Sequence, residues 1–269
     1  EPYASGKPRL DSVRTKGDRL MQGTLYGASL GPGDPELITR KTWALLHSDA
    51  DWAYPVKRKQ GDSYALNIVL AAGLTVPDNA LALVFPMTHD REKLAKYWLQ
   101  AAEQVLEKLH AGRDVVFLVE GDASTFSTFQ HLAKTVLALD EQANVETIAG
   151  VSSFHAAAAR AKMPLADTDD TVAIIPAGYG IDMIAAQLKH FDTLVLLKVK
   201  PLLDDIIDLL EAQGLLSQSC FVEKAGSSEE RIVHDVASLK GQKVNYLSLL
   251  MVHNSHRIRG EVMRGCRKK

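Results

Sequence analysis

The chain has 269 residues, 46% of them hydrophobic and 24% charged, enough for one large domain or two smaller ones with cores of their own. A formal net charge of −2 and an aromatic content of 6% argue against a nucleic-acid partner, which would call for a basic face with stacking rings. No apolar run reaches the roughly 18 residues of a membrane span, and Cys220 and Cys266 lie far from any metal-ligand spacing, which fits reduced thiols in a cytoplasmic protein.

Residues 1–20 are polar, with several Lys and Arg, two Pro and little periodicity; the expectation is a disordered extension, with Met21 as a candidate native start. Beyond them, short β-branched or Leu-rich runs alternate with amphipathic stretches. Strands are expected at 24–30, 51–54, 81–86, 114–120, 144–148, 171–176, 193–199, 219–223 and 246–252. Helices are expected at 35–48, 62–73, 90–110, 124–138, 153–162, 181–190 and 202–213, with a further one at 228–237. This alternation is that of an α/β protein with largely parallel sheets. Nine strands exceed one tidy sheet, so two α/β domains are expected, 21–142 and 143–265, meeting in a cleft near residues 138–145.

The first joint with chemical content is LYGASLGPGDPELITRK, residues 25–41. It lacks the Gly-Lys-Ser/Thr ending of a phosphate-binding loop and the three-glycine spacing of a dinucleotide fingerprint. Pro32 removes a backbone donor and Asp34 places a carboxylate where a phosphate would sit. The plain structural reading is that Asp34 caps a helix, Pro35 takes its first position and Glu36 favours its dipole. A second joint, VVFLVEGDASTFSTF (115–129), ends a strand at Glu120-Gly121-Asp122. Ligands of open α/β sheets gather at such carboxyl ends, although Asp122 or Ser124 could equally be helix caps. In the third, TIAGVSSFHAAAARAKMPL (147–165), Gly150 permits a tight turn and Ser152 or Ser153 could cap an Ala-rich helix. Alanines of that kind admit a flat ligand, and they are also simply good helix formers. The strand-to-helix joint LVFPMTHDRE (83–92) carries His89, a lone histidine. The run Lys57-Arg58-Lys59, with Arg91, Arg160, Lys162 and Lys198, would suit a polycarboxylate substrate but reads first as solvated charge.

Taken in register, GASLGPGDPELIT, SDADWAYP, VFPMT, VEGDASTFSTF, AGVSSFHAAAA, TLVLLKVKP and FVEKAGSSEERI resemble the tetrapyrrole methylases, S-adenosylmethionine-dependent enzymes of corrin synthesis. The resemblance covers nearly everything from Gly23 to about His253. The combination of AYP, FPMT and the EGD joint resembles the branch that methylates carbon 20 of precorrin-2 or cobalt-factor II. It implies a cofactor cleft between two α/β domains, S-adenosylmethionine as methyl donor with no protein-bound metal, a polycarboxylate tetrapyrrole substrate and a homodimer. By motif, Pro32 would lie beside the cofactor and Glu120, Gly121 and Asp122 beside its methionine portion. Thr125, Ser152 and Ser153 would line the same pocket, Lys198 and Ala225 would touch it, and Leu249 would flank the adenine.

Two departures stand out: Ser29 occupies a place where relatives commonly have Gly, and Ala123 one where Pro follows Gly-Asp. Methylases of uroporphyrinogen carry an Asp, taken there as proton acceptor, at the place of Pro55; AYP therefore speaks for the carbon-20 branch and leaves the base unassigned. The alternatives on the same fold are methylation at another ring position, of uroporphyrinogen III, of ribosomal RNA or of a translation-factor histidine, and non-catalytic binding of S-adenosylmethionine.

Overall fold

The computed structural model describes residues 21–261; the expected extension at 1–20 and Cys266 lie outside the described residues. Two five-stranded sheets organise the chain. The first contains β1 (Thr24–Ser29), β2 (Asp51–Val56), β3 (Leu81–Val84), β4 (Val115–Val119) and β5 (Asn144–Ile148) in the order β3-β2-β4-β1-β5. All its pairings are parallel. The second contains β6 (Val172–Pro176), β7 (Thr193–Leu197), β8 (Ser219–Glu223), β9 (Arg231–Val233) and β10 (Ser248–His253) in the order β6-β7-β10-β8-β9.

The central strands β1 and β4 of the first sheet are buried on both faces because helices cover both. Leu25, Val115, Phe117 and Val119 face α3 (Arg91–His110) and α4 (Phe129–Leu139). Ala28, Trp52, Val116 and Leu118 face α1 (Arg40–Leu46) and α2 (Tyr64–Ala71). In the second sheet, Leu194, Leu196, Phe221 and Leu250 face α6 (Ile181–Gln187) and α7 (Leu203–Ala212). Val195, Cys220, Val222, Leu249 and Met251 face α5 (Ser153–Ala161).

Several expectations change. The second sheet is mixed: β6 and β7 are parallel, whereas β10 runs antiparallel to β7 and β8, and β9 antiparallel to β8. The strand at 144–148, just beyond the division expected after residue 142, is β5 of the first sheet and pairs with β1 throughout. Residues 138–145 sit at the amino end of the first sheet, where Asp140 accepts from Gln22 Nε2 at 2.8 Å and Asn144 pairs with Thr24. The two halves therefore do not meet there. The helix expected at 228–237 is β9 followed by a short 3-10 turn, Val236–Leu239, since Arg231–Val233 finds a free sheet edge beside β8. Residues 124–128 form turns before α4, and 35–48 split into a 3-10 turn, Pro35–Leu37, and α1.

The far edge of the second half is tied to the chain's last described segment. Asp192, nearly fully buried, accepts from Arg257 Nη1 at 2.8 Å, Arg259 Nε at 2.8 Å and Thr171 N at 2.8 Å. Burial pushes its carboxyl up, but the Thr171 and arginine donors outweigh that and hold it below the usual carboxylate range.

Candidate active site at the carboxyl ends of the first sheet

In this strand order, the chain leaves β1 toward β2 on one side, whereas β4 leads to β5 on the other. The carboxyl ends of neighbours β1 and β4 thus flank a topological switch point, the crevice where open parallel sheets take ligands. The loops that diverge there carry Gly31-Pro32-Gly33-Asp34 and Glu120-Gly121-Asp122. They are stitched by a two-way backbone bridge, Gly31 N to Gly121 O at 3.2 Å and Gly121 N to Gly31 O at 2.7 Å. Both glycines have positive φ, 74° and 71°, a region that side chains resist. A Cβ on Gly121 would meet nothing within 4 Å, so the bridge opens onto free space.

Asp34 behaves as the plain reading expects, accepting from Glu36 N at 2.9 Å ahead of Pro35, although the turn it caps is 3-10. Asp122 is also occupied with the protein. One oxygen accepts from Gly150 N at 2.9 Å; the other accepts from Thr125 Oγ1 at 2.8 Å, from Ser124 N at 3.3 Å and from the Ser124 hydroxyl. Burial pushes the Asp122 carboxyl up, but the Ser124 hydroxyl, Gly150 N–H and Thr125 hydroxyl outweigh it and leave it lowered. Ser29, the residue that departs from Gly, joins the same knot. Its hydroxyl donates to Ile148 O at 2.5 Å and accepts from Ala123 N at 2.8 Å, linking the ends of β1, β4 and β5.

Glu120 differs from Asp122 although only one residue separates them. Strand alternation places it on the Val116–Leu118 face, toward α2. Its carboxyl makes no hydrogen bond or ion pair among the described residues, and burial pushes it up to about 7. Tyr64, from the start of α2, donates to Pro32 O at 3.1 Å. Burial and the nearby Glu120 push this phenol up to about 12, against a hydrogen bond from Ser227.

The second half closes on the same loops. A Cβ on Gly33 would lie 2.9 Å from Tyr64 Oη and 3.3 Å from Ser227 Cβ, and one on Gly226 would lie 3.1 Å from Asp34 N. Lys57, beyond β2, lies 5.7 Å from the ring centroid of Tyr246 across the cleft. Lys198 is exposed just past β7; Leu249 pairs with Leu197 and Val222, which brings it beside that turn. Ala225 is buried in the loop after β8, with Leu249 in the α5 core. Lys198 and Lys224, at the ends of β7 and β8, adopt φ of 56° and 49°, and Phe126 adopts 51°. Strained backbone of this kind gathers where structure holds a site.

Ser152 stands at the cap position of α5, yet its buried hydroxyl makes no capping bond, and Ser153 opens the helix. The alanines Ala157, Ala158 and Ala161 pack on the second sheet, so close helix–sheet contact explains them. Of the ten predicted residues, Pro32, Glu120, Gly121, Asp122 and Thr125 lie on the two bridged loops and the turn beyond them, Ser152 and Ser153 follow Gly150, which donates to Asp122, and Lys198, Ala225 and Leu249 lie in the second half. Arg160 is already paired with Glu230 at 2.8 Å, and Lys162 lines a separate cavity of about 430 Å³ with His234 and His253. His89 is exposed in the turn before α3. Tyr64, Ser227 and Ser248 were missed by the sequence reading. Only Tyr64 carries a signal, a polar aromatic directly after the Ser63 cap of an apolar helix.

The pattern of Tetrapyrrole (Corrin/Porphyrin) Methylases matches residues 24–239. The chain belongs to this family. It is 35% identical over 236 residues to the cobalt-precorrin-2 C(20)-methyltransferase of Salmonella typhimurium, covering 87% of this chain and 97% of that protein. It is 30% identical over 240 residues to the precorrin-2 C(20)-methyltransferase of a Sinorhizobium species, covering 86% of this chain and 95% of the other. Among solved structures, the uroporphyrin-III C-methyl transferase of Thermus thermophilus complexed with S-adenyl homocysteine superposes with a TM-score of 0.56. It is 25% identical and covers 86% of this chain and 97% of that one. The methylase's described residues include no helix long and apolar enough to cross a membrane.

The crevice fits an adenosyl sulfonium. Free space beside Gly121, an unpartnered carboxyl at Glu120 and a buried Ser248 Oγ without a hydrogen-bond partner leave both room and unmet polarity. Gly31 and Gly121 spend their N–H groups on each other rather than presenting them to a phosphate.

Proposed function

We propose that this methylase transfers a methyl group from S-adenosylmethionine to carbon 20 of precorrin-2 or its cobalt complex. The observation that carries this reading is the alignment over 97% of the Salmonella carbon-20 enzyme, at 35% identity. Pro55, where uroporphyrinogen methylases carry an Asp, supports the same branch. Pro32, Glu120, Gly121, Asp122, Thr125, Ser152, Ser153, Lys198, Ala225 and Leu249 line the donor's pocket, Glu120 beside the donor without anchoring it. Asp122 does so through the loop it organises, since its own oxygens are engaged with protein donors. Support for the rest comes from family: the enzyme is a cytoplasmic homodimer, and its polycarboxylate substrate is held by exposed cations, with Lys57 and Lys198 on the cleft walls.

S-adenosylmethionine supplies an electrophilic methyl group on a sulfonium. The protein's contribution is to hold the acceptor carbon in line behind it and to keep water out, so geometry dominates the rate. The Gly31–Gly121 bridge fixes one wall, and the Lys224–Ser228 loop, packed on Gly33 and Asp34, fixes the other. Turnover of a dihydro-tetrapyrrole with methyl-labelled donor, with uroporphyrinogen III and ribosomal RNA as controls, tests the reading. Label should appear at carbon 20 alone; methylation of uroporphyrinogen at a comparable rate, or binding without turnover, would overturn it.

A further inference from the structure

Glu120 and Asp122 share one strand end, yet the protein treats them oppositely. Asp122 receives four donors, whereas Glu120 receives none and lies on the α2 face beside the open space at Gly121. The knot that shapes the joint runs through Ser29, Asp122, Gly150 and the two bridged glycines and leaves the Glu120 side chain out. A half-buried carboxyl that takes no part in the loop's own hydrogen bonding is left available to a bound molecule. Two carboxyls driven apart in this way mark one that stays ionised and one that exchanges protons.

We propose that Glu120 is the proton acceptor of the methyl transfer, an assignment that rests on the carbon-20 reading above. The meso carbon uses a π pair of the macrocycle to bond the methyl carbon, and the carbon–sulfur pair stays on sulfur. The meso carbon then carries both the new methyl and its hydrogen. Its C–H pair returns to the ring as the Glu120 carboxylate takes the proton, which passes to water after product leaves. One proton is released per methyl transferred, with no oxidant or reductant.

The neighbourhood suits this role. Burial alone lifts Glu120 to about 7, so both forms are populated at neutral pH, where a general base is most effective. The titratable groups on the surrounding elements are Tyr64 of α2, Asp34 in the GPGD loop, Asp122 in its own loop and the Lys224–Glu229 pair of the second half. Tyr64 stays protonated, and Asp122 stays ionised. Lys224 is engaged with Glu229 at 2.5 Å. Glu120 is the group in this set whose shift brings it near neutrality.

Glu120→Gln keeps the side chain's shape and removes the base. Expected are a kcat loss of about 100-fold or more and S-adenosylhomocysteine affinity within about threefold. The rate inflection near pH 7 should vanish, and deuterium at the meso carbon should slow the variant more than the wild type. In wild-type protein without substrate, a carboxyl infrared band that is missing in the variant should titrate near pH 7. Turnover within about fivefold with the inflection intact would overturn the assignment, as would a band that titrates in the ordinary carboxylate range. Affinity falling in step with turnover would make Glu120 an anchor of the donor's ammonium group instead. No wild-type turnover of the dihydro-tetrapyrrole would sink the substrate reading, and this proposal with it, whatever the infrared titration shows.

Discussion

Replacing Asp122 with Asn separates shaping the loop from touching the cofactor. The wild-type carboxylate, 8% exposed, ties Gly150 to the Ser124–Thr125 turn through both oxygens. An amide has one acceptor oxygen. If it keeps Gly150 N, the Ser124 N–H loses its acceptor, while the Ser124 and Thr125 hydroxyls can turn to accept from the new NH₂. The net loss is one charged hydrogen-bonding arrangement, about 1.5–3 kcal/mol. For a chain of this size that is a fall in Tm of roughly 3–5 °C. Asp122 has a folded pKa below its unfolded one, so its stabilisation is complete above the unfolded value of about 4 and is lost as pH falls through the folded value. The gap between variant and wild type should therefore narrow below about pH 4. Thermal melts across pH and calorimetry with S-adenosylhomocysteine on the folded fraction make the test. Affinity should stay within about threefold; a tenfold weakening with Tm unchanged would refute the reasoning.

Gly150→Ala should lower Tm clearly, because its Cβ would collide with Ser29 Cβ and lie 2.9 Å from Gly121 O; overpacking of this sort costs about 1–3 kcal/mol, read by denaturant midpoint. Glu120→Gln should stabilise the protein at pH 8 but not at pH 4. The folded pKa of about 7 exceeds the unfolded one, so wild-type stability declines as pH rises between them. At about 1.4 kcal/mol per unit, with a discount for partial exposure, the gain is about 1–2 kcal/mol by urea titration. Pro55→Ala should leave turnover within about tenfold, less than removal of a general base would cost. The proline lies two residues beyond the last Ala53–Phe117 pair of β2 with β4, and no catalytic group is lost.

Much of this was legible from periodicity. Strands β1 to β8 fall within a residue or two of their expected places, because most are short runs of β-branched or Leu-rich sequence closed by Gly or Pro. The parallel first sheet was readable since buried strands alternate with helices of adequate length. The second sheet was not, because its direction is set by β10 returning between β7 and β8, a choice of partner that no local pattern encodes. The short β9 reads as a helix by composition, and only the open edge of β8 makes Arg231–Val233 a strand. At the site, the joints could be located from glycine and carboxylate spacing. What the carboxylates do could not, since Asp34, Glu120 and Asp122 differ only in which donors the fold brings to them.

Ser29 and Gly150 also constrain how this joint can be varied. Here the side chain at 29 fills part of the space that any side chain at 150 would need, and the Gly121 carbonyl fills the rest. The two positions are therefore coupled: a change at 150 has to be read together with the residue at 29. The clasp that Ser29 makes across three strand ends comes with an obligatory glycine at 150.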